Sequence, residues 1–476
     1  MPTPTQQISD SSIQNLLFEE VHPVLLDAIS LRSTERKVID VKKAKVSGKL
    51  YRVDQLIGGN FRLEGRTEGG YLPGQNPSAS LQDQSATLLT MEMRFKRRFL
   101  YSSVEFTGPM DNAPSTSSGG YEKLSAMVME QTVKAFPEMI SSKWARGQLS
   151  ILGEVSSTSS NTVTLVAANA PSTAATARPW AGNRFFREGM VVDIVTRTSA
   201  GVPNPTGALR TGANDKGRRI TGKSADGTTP TLTMQDISST TILEGDLLVT
   251  HGERQDGAID AQSEFEDGLY GTQGIMDAIQ DGSDGLYSTS YYGNVAVSGQ
   301  RVLQSHKVTN TNTTALTVGM LNMLIENMLV DDLTGVQPDF WYTSYGVYRK
   351  FLEPFNTMTN FATNNPARYQ NPGKGFTPTV GASGAEVNNV GTTGSMKFFP
   401  SAFAPHYRVY GIRKGSLLML EDKEPGIMQD DGLKLRQIPN TDMWNVVWKW
   451  YCSGVVALTP RHNGYIVGLL GDQNNQ

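Results

Sequence analysis

A long run of alternating apolar and polar residues predicts an extended β-hairpin. From Ala86 to Phe106, apolar residues such as Met91, Met93 and Phe95 alternate with other residues. This run is much longer than a usual strand, which has about five or six residues. The strand-like segment Lys49–Leu56 precedes this run across a glycine-rich stretch. Such a hairpin would project from the body with little core at its tip, so we expect a neighbouring subunit to hold it.

Helical spacing of apolar residues marks three later segments. A helix of about thirty residues is predicted from Tyr121 to Leu152, with a kink near its centre at Pro137. Shorter amphipathic helices are predicted at Ala315–Leu333 and Ser344–Phe355. The apolar segment Pro338–Thr343 between them is typical of a short buried strand.

Residues 155–250 have a different pattern, in which short strands alternate with turns rich in Ser, Thr and Gly. This spacing predicts a small β-barrel or sandwich inserted into the main body. The carboxylates of Glu188-Gly189 and Glu244-Gly245-Asp246 are interpreted as turn residues and not as a catalytic pair. The predicted strands are Thr162–Leu165, Met190–Val195, Arg219–Gly222, Thr231–Met234 and Leu247–Val249.

After the later helices the chain is loop-like from Asn356 to Met396 and then returns to strands. A loop of about forty residues is uncommon within a compact domain and usually serves binding or assembly. The predicted C-terminal strands are Tyr407–Ile412, Ser416–Leu420, Leu433–Gln437 and the aromatic, alternating run Met443–Leu458.

Composition bounds the size of the core and excludes several classes of protein. The 476 residues are 38% apolar, which is enough for one large core or two to three ordinary ones, and a net charge of −3 argues against a globally basic nucleic-acid-binding protein. The single cysteine, Cys452, excludes an internal disulfide and a zinc site with paired thiolates. The first residues lack the pattern of a secretory signal, and no run of about 18 apolar residues occurs. We therefore expect a soluble protein made in a cytoplasm, with no membrane partner.

Two local groups of basic residues stand out against this nearly neutral chain. The first follows a polar arm over residues 1–31 and is either a solvated face or a contact for phosphates or a partner. The second lies on the predicted hairpin, where Arg94, Lys96 and Arg98 would share one face and need carboxylates or phosphates opposite. The groups are Arg32, Arg36, Lys37, Lys42, Lys43, Lys45, Lys49 and Arg52, and then Arg94, Lys96, Arg97 and Arg98.

No arrangement of residues suited to catalysis or metal binding emerges from the sequence. None of the five histidines has the spacing of a zinc-protease helix, and Gly268–Gly274 is not a dinucleotide-binding pattern. The turn Asp281–Gly285 lacks the glutamate of a calcium loop. Cys452, next to Trp450 and Tyr451, is interpreted as a buried apolar thiol. We therefore predict no enzyme activity and no cofactor.

The order of these parts resembles the major capsid protein of tailed bacteriophages, whose fold is shared with encapsulins and the herpesvirus capsid floor. The resemblance rests on the arm, the long hairpin, the kinked helix, the mixed body with its long loop and the closing strands. The most similar local phrases are Ile242–Asp246, Pro338–Trp341 and Leu433–Pro460, in which an aromatic-rich strand ends in Thr459-Pro460.

The resemblance implies an α+β tailed-phage capsid fold with peripheral and axial domains, to which this chain adds an inserted small β-barrel or sandwich. The implied parts are an N-terminal arm (1–44), an extended hairpin loop (45–110), the spine helix of the peripheral domain (111–155), the inserted β-rich domain (156–250), a connection of the peripheral domain (251–310), an axial domain (311–430) with its long loop (356–396), and C-terminal strands that return to the body (431–476).

The same resemblance implies that the function is assembly. Subunits would form pentamers and hexamers of an icosahedral shell around phage double-stranded DNA, in a virion assembled in the cytoplasm of a host bacterium. A separate scaffolding protein, a portal protein and a decoration protein are the other implied partners. Residues implied to contact a neighbouring subunit are Arg94, Lys96, Arg97 and Arg98; residues implied to face DNA, without sequence preference, are Arg32, Arg36, Lys37, Lys42, Lys43 and Lys45.

Two other functions fit part of the pattern. An encapsulin-like nanocompartment shares the fold without DNA or scaffold, although the inserted β segment and the arm argue against it. A carbohydrate-binding or adhesive fibre protein would also be rich in strands, and it would form a trimer.

Overall fold

The computed structural model describes residues 34–43, 50–58, 89–107, 138–167, 178–199, 203–205, 207–210, 216–225, 229–235, 242–254, 269–282, 291–292, 295–297, 300–331, 337–353, 386–388, 395–428, 436–437 and 443–471. These residues form several β-sheets and few helices, in a mixed α/β arrangement. The predicted arm over 1–31, the tip of the hairpin, the helix before residue 138 and most of the loop 356–396 lie outside them.

The strands are numbered along the chain. They are β1 (Asp40–Lys43), β2 (Leu50–Gly58), β3 (Leu89–Lys96), β4 (Arg98–Thr107), β5 (Ile151–Ser159), β6 (Thr162–Leu165), β7 (Val191–Val195), β8 (Arg218–Lys223), β9 (Thr231–Met234), β10 (Leu247–Thr250), β11 (Tyr291–Tyr292), β12 (Val295–Ala296), β13 (His306–Thr309), β14 (Phe340–Ser344), β15 (Glu386–Asn388), β16 (Ser395–Ser401), β17 (Arg408–Ile412), β18 (Leu417–Ile427), β19 (Arg436–Gln437), β20 (Met443–Ala457) and β21 (Gly464–Val467). The helical segments are α1 (138–146), α2 (Ile275–Ala278), α3 (Val318–Asp331) and α4 (345–353).

The base of the long hairpin is the antiparallel pair β2–β3, in which Arg52 lies opposite Arg94. Alternation along the two strands turns Tyr51, Met93 and Phe95 inward, where each is almost fully buried. The Phe95 ring meets the edge of Tyr292 with 5.4 Å between ring centroids. The base of the hairpin is therefore part of the core of the protein.

A five-stranded sheet is built around β20, the longest strand. β20 pairs antiparallel with β18 along one side and with β4 along the other, and the short β1 extends the sheet by pairing parallel with β18. The alternating tryptophans predicted this strand, and Trp448 and Trp450 do point into the core with Cys452. There Trp450 packs edge-to-face on Trp144 of α1 at 5.6 Å.

Helix α1 ends earlier than the sequence pattern predicts. The predicted helix ran to Leu152, but Gly147 at φ +92° interrupts it and Ile151 already begins β5. The interruption has a tertiary cause, because the carboxylate of Asp277 lies where a side chain at Gly147 would be and accepts a hydrogen bond from the Gln148 amide at 2.7 Å. The spacing of apolar residues along the helix carries no information about Asp277, which lies far away in the sequence.

Six antiparallel strands close a barrel in the order β10-β5-β6-β9-β8-β7. Its interior is filled by alternating residues such as Val163, Ile220 and Leu232, which have no exposed surface. The sequence pattern placed β6 and β9 at their observed bounds and β7, β8 and β10 within two residues of theirs. It did not place β5, because the predicted helix covered the start of that strand.

The barrel packs onto the rest of the protein. Arg184 donates to the carbonyl of Ala404, and the His406 amide donates to the Pro179 carbonyl at 2.9 Å. On another side, Lys143 of α1 forms an ion pair with Glu253, just beyond β10. The barrel interior and the main core therefore form one continuous hydrophobic cluster.

The second large sheet has six strands in the order β13-β21-β17-β14-β16-β15. Helices α3 and α4 cover one of its faces, where Leu324 and Phe351 pack with Trp341 and Phe398. Both helices and β14 lie where the sequence pattern predicts them, although Ser344 ends β14 instead of opening α4. The sequence analysis did not predict β21, and it assigned the first residues of β16 to the long loop.

Residues 34–43 bridge the two large sheets. The Glu35 carboxylate, 1% exposed, accepts hydrogen bonds from the hydroxyls of Tyr342 at 2.8 Å and Ser401 at 2.5 Å, on β14 and β16. Burial, together with the negative charge of Glu35, raises the pKa of Tyr342 well above its usual value, so the tyrosine remains a donor. A few residues later β1 joins the five-stranded sheet.

Within the described residues, no helix is both long enough and apolar enough to cross a bilayer.

Candidate intersubunit surface

The hairpin and the five-stranded sheet are joined at Arg97. The sequence pattern predicted one strand from Ala86 to Phe106, but β3 ends at Lys96 and β4 begins at Arg98. At this point the chain changes its partner from β2 to β20. The two strands therefore belong to different sheets, and the basic residues around the break have different surroundings.

Arg97 is held at the break by an ion pair and by aromatic rings. Its guanidinium contacts the carboxylate of Asp422 and lies 4.6 Å from the ring centroid of Tyr451 and 5.5 Å from that of Phe99. Arg97 and Asp422 are both partly buried, so this arrangement also orients the neighbouring rings.

An aromatic face extends from Arg97 across β4 and β20. Phe99 and Tyr101 on β4 are 49% and 55% exposed, and Tyr451 lies between them and β18, with its ring 5.0 Å from Phe99 and 6.4 Å from Tyr101. Lys449 adds a second cation 5.4 Å above the Tyr451 ring. We call these five residues (Arg97, Phe99, Tyr101, Lys449 and Tyr451) the aromatic face. Large exposed rings beside cations are typical of surfaces that bind another protein.

Arg94 and Lys96 lie on the outward face of the hairpin, away from Met93 and Phe95. Arg94 makes two hydrogen bonds to Glu92, at 3.2 and 3.3 Å, and Arg52 on β2 lies 3.3 Å from the same carboxylate. The hydrogen bond from Arg94, and then the charges of Arg94 and Arg52, lower the pKa of Glu92. Glu92 of the same chain therefore neutralises part of the row of positive charges that the sequence predicted.

Arg98 is not on that face, contrary to the sequence prediction. It is 8% exposed and donates to the carbonyl of Leu269 inside the subunit. The prediction assumed an unbroken strand, in which residues 94, 96 and 98 alternate to the same side. The break at Arg97 removes that regularity, so Arg98 opposes Cys452 on the buried side of the five-stranded sheet.

The N-terminal basic group likewise contains both exposed and partly buried residues. Lys37, Lys42 and Lys43 are exposed. Arg36 is half-buried, and this burial lowers its pKa although Glu421 and Asp40 act in the opposite direction. Arg32 and Lys45 lie outside the described residues.

The sequence analysis missed the aromatic half of the surface. It placed Phe99 only as a member of the alternating run Ala86–Phe106 and regarded Tyr451 only as a neighbour of Cys452. A signal was present, because Lys449 and Tyr451 alternate with Trp448 and Trp450, so that β20 carries aromatic residues on both faces. A strand of this kind is buried on both sides, within the subunit or by a partner.

Other residues that could take part in catalysis or metal binding have structural roles instead. The turn at Glu244-Gly245-Asp246 is confirmed, with Gly245 at φ +89°, and the fully buried Asp246 accepts hydrogen bonds from Arg210 at 2.7 and 3.0 Å. In the part of the chain that the structure describes, no three His, Cys, Asp or Glu side chains are grouped so that they could hold a metal ion.

We expect Cys452 to be inert in the folded subunit. It is fully buried, as the sequence predicted, and burial raises the pKa of its thiol to about 12. Because the thiolate is the reactive form, a thiol-reactive disulfide reagent at about pH 8 should modify it only after denaturation. Absorbance of the released thiol, followed with and without denaturant, measures this. Rapid stoichiometric labelling of the native subunit would contradict the assignment.

Comparison with known proteins finds similar folds among solved structures. No family model matches the chain, and no curated protein sequence does. Among solved structures, the chain is similar to the capsid of cyanophage A-1(L), with 10% identity, a TM-score of 0.47 and coverage of 92% of this chain and 93% of that one. It is also similar to the SrpI encapsulin of Synechococcus elongatus PCC 7942, with 8% identity, a TM-score of 0.39 and coverage of 100% and 95%.

The capsid of the Myoviridae phage XM1 is a third similar structure, with 10% identity, a TM-score of 0.36 and coverage of 93% and 92%. Phage capsids and an encapsulin are the class of proteins that the sequence resemblance named.

Proposed function

We propose that this protein is a structural capsid subunit, without enzyme activity, that assembles with copies of itself into a shell around double-stranded DNA. The observation that carries the proposal is the aromatic face next to the base of the hairpin. Phe99 and Tyr101 are exposed on a strand that continues directly from the hairpin. A neighbouring copy that covered this face would bury both rings and engage the hairpin at once.

Burial of the two rings supplies the largest favourable contribution to such a contact. Removing apolar surface from water contributes about 25 cal/mol per Å², so two large rings that are half exposed add about 2–4 kcal/mol per contact. Exposed ion pairs from Arg94 and Lys96 to an acidic surface of the neighbour contribute only about 0–1 kcal/mol each. The shell gains its stability because the contact repeats around a closed assembly.

The parts of the chain correspond to those of a tailed-phage capsid subunit in this proposal. The segment before β2 is the arm, β2 and β3 are the base of the extended loop, and α1 is the end of the spine helix. The five-stranded sheet forms the peripheral domain, the six-stranded sheet forms the axial domain, and the barrel is the insertion. Pentamers and hexamers would form an icosahedral virion shell in the host cytoplasm, with scaffolding, portal and decoration proteins as partners.

The exposed basic residues near β1 are proposed to contact packaged DNA. Changing Lys37, Lys42 and Lys43 together to Ala should reduce nuclease-resistant DNA in purified particles without stopping shell formation, because phosphate contacts are electrostatic and independent of sequence. The ratio of absorbance at 260 to 280 nm after nuclease treatment measures retained DNA. The matched control changes three exposed cations elsewhere, Arg219, Lys397 and Lys414, to Ala. Equal retention in wild type and the first variant would contradict the assignment.

The central test of the proposed function is direct. Size-exclusion chromatography of the recombinant protein, followed by negative-stain electron microscopy of the earliest peak, should show closed shells or rings of five or six subunits. Shells that enclose an enzyme instead of DNA would identify a nanocompartment. A monomer or trimer that persists at high concentration and with crowding agents would overturn the proposal and favour a binding protein.

A further inference from the structure

The aromatic face is suited to an occupant that is both apolar and acidic. Its two rings on β4 are about half exposed, so an apolar segment that covered them would remove their surface from water. Arg97 and Lys449 lie 4.6 and 5.4 Å from the ring centroid of Tyr451, which places positive charge beside the rings. Asp422 contacts Arg97, and this ion pair shows that a carboxylate fits at this position.

The N-terminal arm (residues 1–31) has the complementary composition. It contains four acidic residues and neither Lys nor Arg. Apolar and acidic residues are adjacent in residues 16–21, whose sequence is Leu-Leu-Phe-Glu-Glu-Val. The arm and the aromatic face are therefore opposite in charge, and both offer apolar side chains. The acidic residues of the arm are Asp10, Glu19, Glu20 and Asp27.

The arm joins the described chain close to the aromatic face. Glu35 is buried and held by hydrogen bonds from Tyr342 and Ser401, so the point where the arm begins is fixed. After it, β1 forms the edge of the five-stranded sheet, followed across the sheet by β18, β20 and β4. Neighbouring strands are about 5 Å apart, so β1 lies about 10 Å from β20 and about 15 Å from β4.

The length of the arm allows it to reach the face of its own subunit. Residues 16–21 precede Thr34 by about 15 positions, and a chain of that length spans up to about 50 Å. A flexible tether of this kind gives an effective concentration of about 1 mM, far above that of dilute subunits in solution. Before assembly, the arm therefore meets its own aromatic face more often than that of another subunit.

We propose that residues 16–21 cover the aromatic face of their own subunit before assembly, and that a neighbouring copy displaces them when the shell forms. In this contact Leu17 and Phe18 cover the half-exposed rings, and Glu19 and Glu20 lie beside the cations. The inference rests on the proposed function, because it gives the same face a second occupant that competes with the neighbouring copy. The apparent affinity between subunits then falls in proportion to the fraction of faces that are uncovered.

Deletion of residues 2–31 tests this competition. The deletion leaves Glu35 and its hydrogen bonds in place, so the subunit should fold. Rings and shells should form at a subunit concentration about tenfold lower than in the full-length protein, as expected if about nine in ten faces are covered. Light scattering and size-exclusion chromatography over a dilution series measure this concentration. An unchanged concentration, or a loss of assembly, would overturn the inference.

A milder variant keeps the arm and removes its charge at one place. Glu19→Gln/Glu20→Gln should lower the concentration needed for assembly about threefold, because the arm then loses its attraction to the cations of the face. Gln6→Lys/Gln7→Lys is the matched control, since it changes the net charge by the same amount at the polar start of the arm. An equal effect of the two variants would mean that net charge alone is responsible, which contradicts the contact.

Disulfide formation tests the contact without any assembly. The native thiol, Cys452, is buried, so new cysteines report on their own. In dilute, mildly oxidised protein, Phe18→Cys/Tyr101→Cys should give a monomer with an internal disulfide, which migrates faster on a non-reducing gel. Phe18→Cys/Tyr270→Cys is the control, because Tyr270 is as exposed but follows Leu269, whose carbonyl lies on the buried side of the five-stranded sheet.

The outcomes separate this inference from the proposed function. Covalent dimers or larger oligomers of Phe18→Cys/Tyr101→Cys would mean that the arm binds a neighbouring copy, and equal internal bonding in the control would mean that the arm has no preferred site. Either result overturns the inference and leaves the capsid proposal intact. Failure of both the full-length and the shortened protein to assemble would refute the proposed function, whereas the internal disulfide would still report the contact of the arm.

Discussion

The double variant Phe99→Asp/Tyr101→Asp should not assemble, although its subunit should still fold. Both rings are about half exposed in the isolated subunit, so their removal leaves most of its core intact. Within the protein the change removes contacts with Arg97 and Tyr451, for which aromatic pairs suggest about 0.5–1.5 kcal/mol each. In an assembled shell, by contrast, two carboxylates would be buried at every contact, which is prohibitive without partners.

Electron microscopy and size-exclusion chromatography measure the assembly of this variant, and circular dichroism during heating measures its folding. Tyr270→Asp is the matched control, because Tyr270 is 56% exposed, as Tyr101 is 55%, but lies outside the aromatic face. The control should assemble as wild type does. Normal shells from the double variant would mean that the aromatic face is not an intersubunit surface.

The second large effect is expected at Gly454, within β20. Its φ of +86° lies in the left-handed region, and a Cβ there would be 2.5 Å from the backbone nitrogen and oxygen of Gln273. These two backbones also bond, since the Val455 amide donates to the Gln273 carbonyl at 2.8 Å. Gly454→Ala must therefore both strain its own backbone and separate two chain segments in the core.

We expect Gly454→Ala to lower the free energy of unfolding by about 2–5 kcal/mol, from about 1–2 kcal/mol of left-handed strain and about 1–3 kcal/mol of overpacking. Gly252→Ala is the control, because Gly252 has a similar φ of +74° but no atom within 4 Å of the added methyl group. It should lose only the strain contribution. Urea unfolding, monitored by tryptophan fluorescence, compares the two variants. Equal losses in the free energy of unfolding would show that the close approach of Gln273 does not matter.

The candidate surface was predictable only in part. Local composition identified the basic cluster at residues 94–98, but not its division among three environments: an outward ion pair, an aromatic stack and a buried bond to a carbonyl. That division follows from the change of pairing partner at Arg97. Phe99 and Tyr101 were missed for the same reason, because an unbroken alternation would have buried Phe99 with Met93 and Phe95.

The sequence by itself determined the strands and helices whose apolar residues are regularly spaced, but not β5 or β21. Alternation over two residues places β20, a short apolar segment places β14, and the spacing of turns places β9, each close to its observed bounds, and helical spacing places α3. These are local properties, since a half-buried strand or helix needs apolar side chains at a fixed interval whatever covers them. The burial of Cys452 follows in the same way from its position in the β20 alternation.

Only the tertiary structure decided where elements stop and which of their faces remain exposed. Helix α1 ends because Asp277 enters beside Gly147, and the hairpin strand breaks because β4 pairs with β20. Both events depend on residues more than a hundred positions away, and the sequence pattern around the break contains no trace of them. The aromatic face is exposed because the folded chain does not cover it with its own residues.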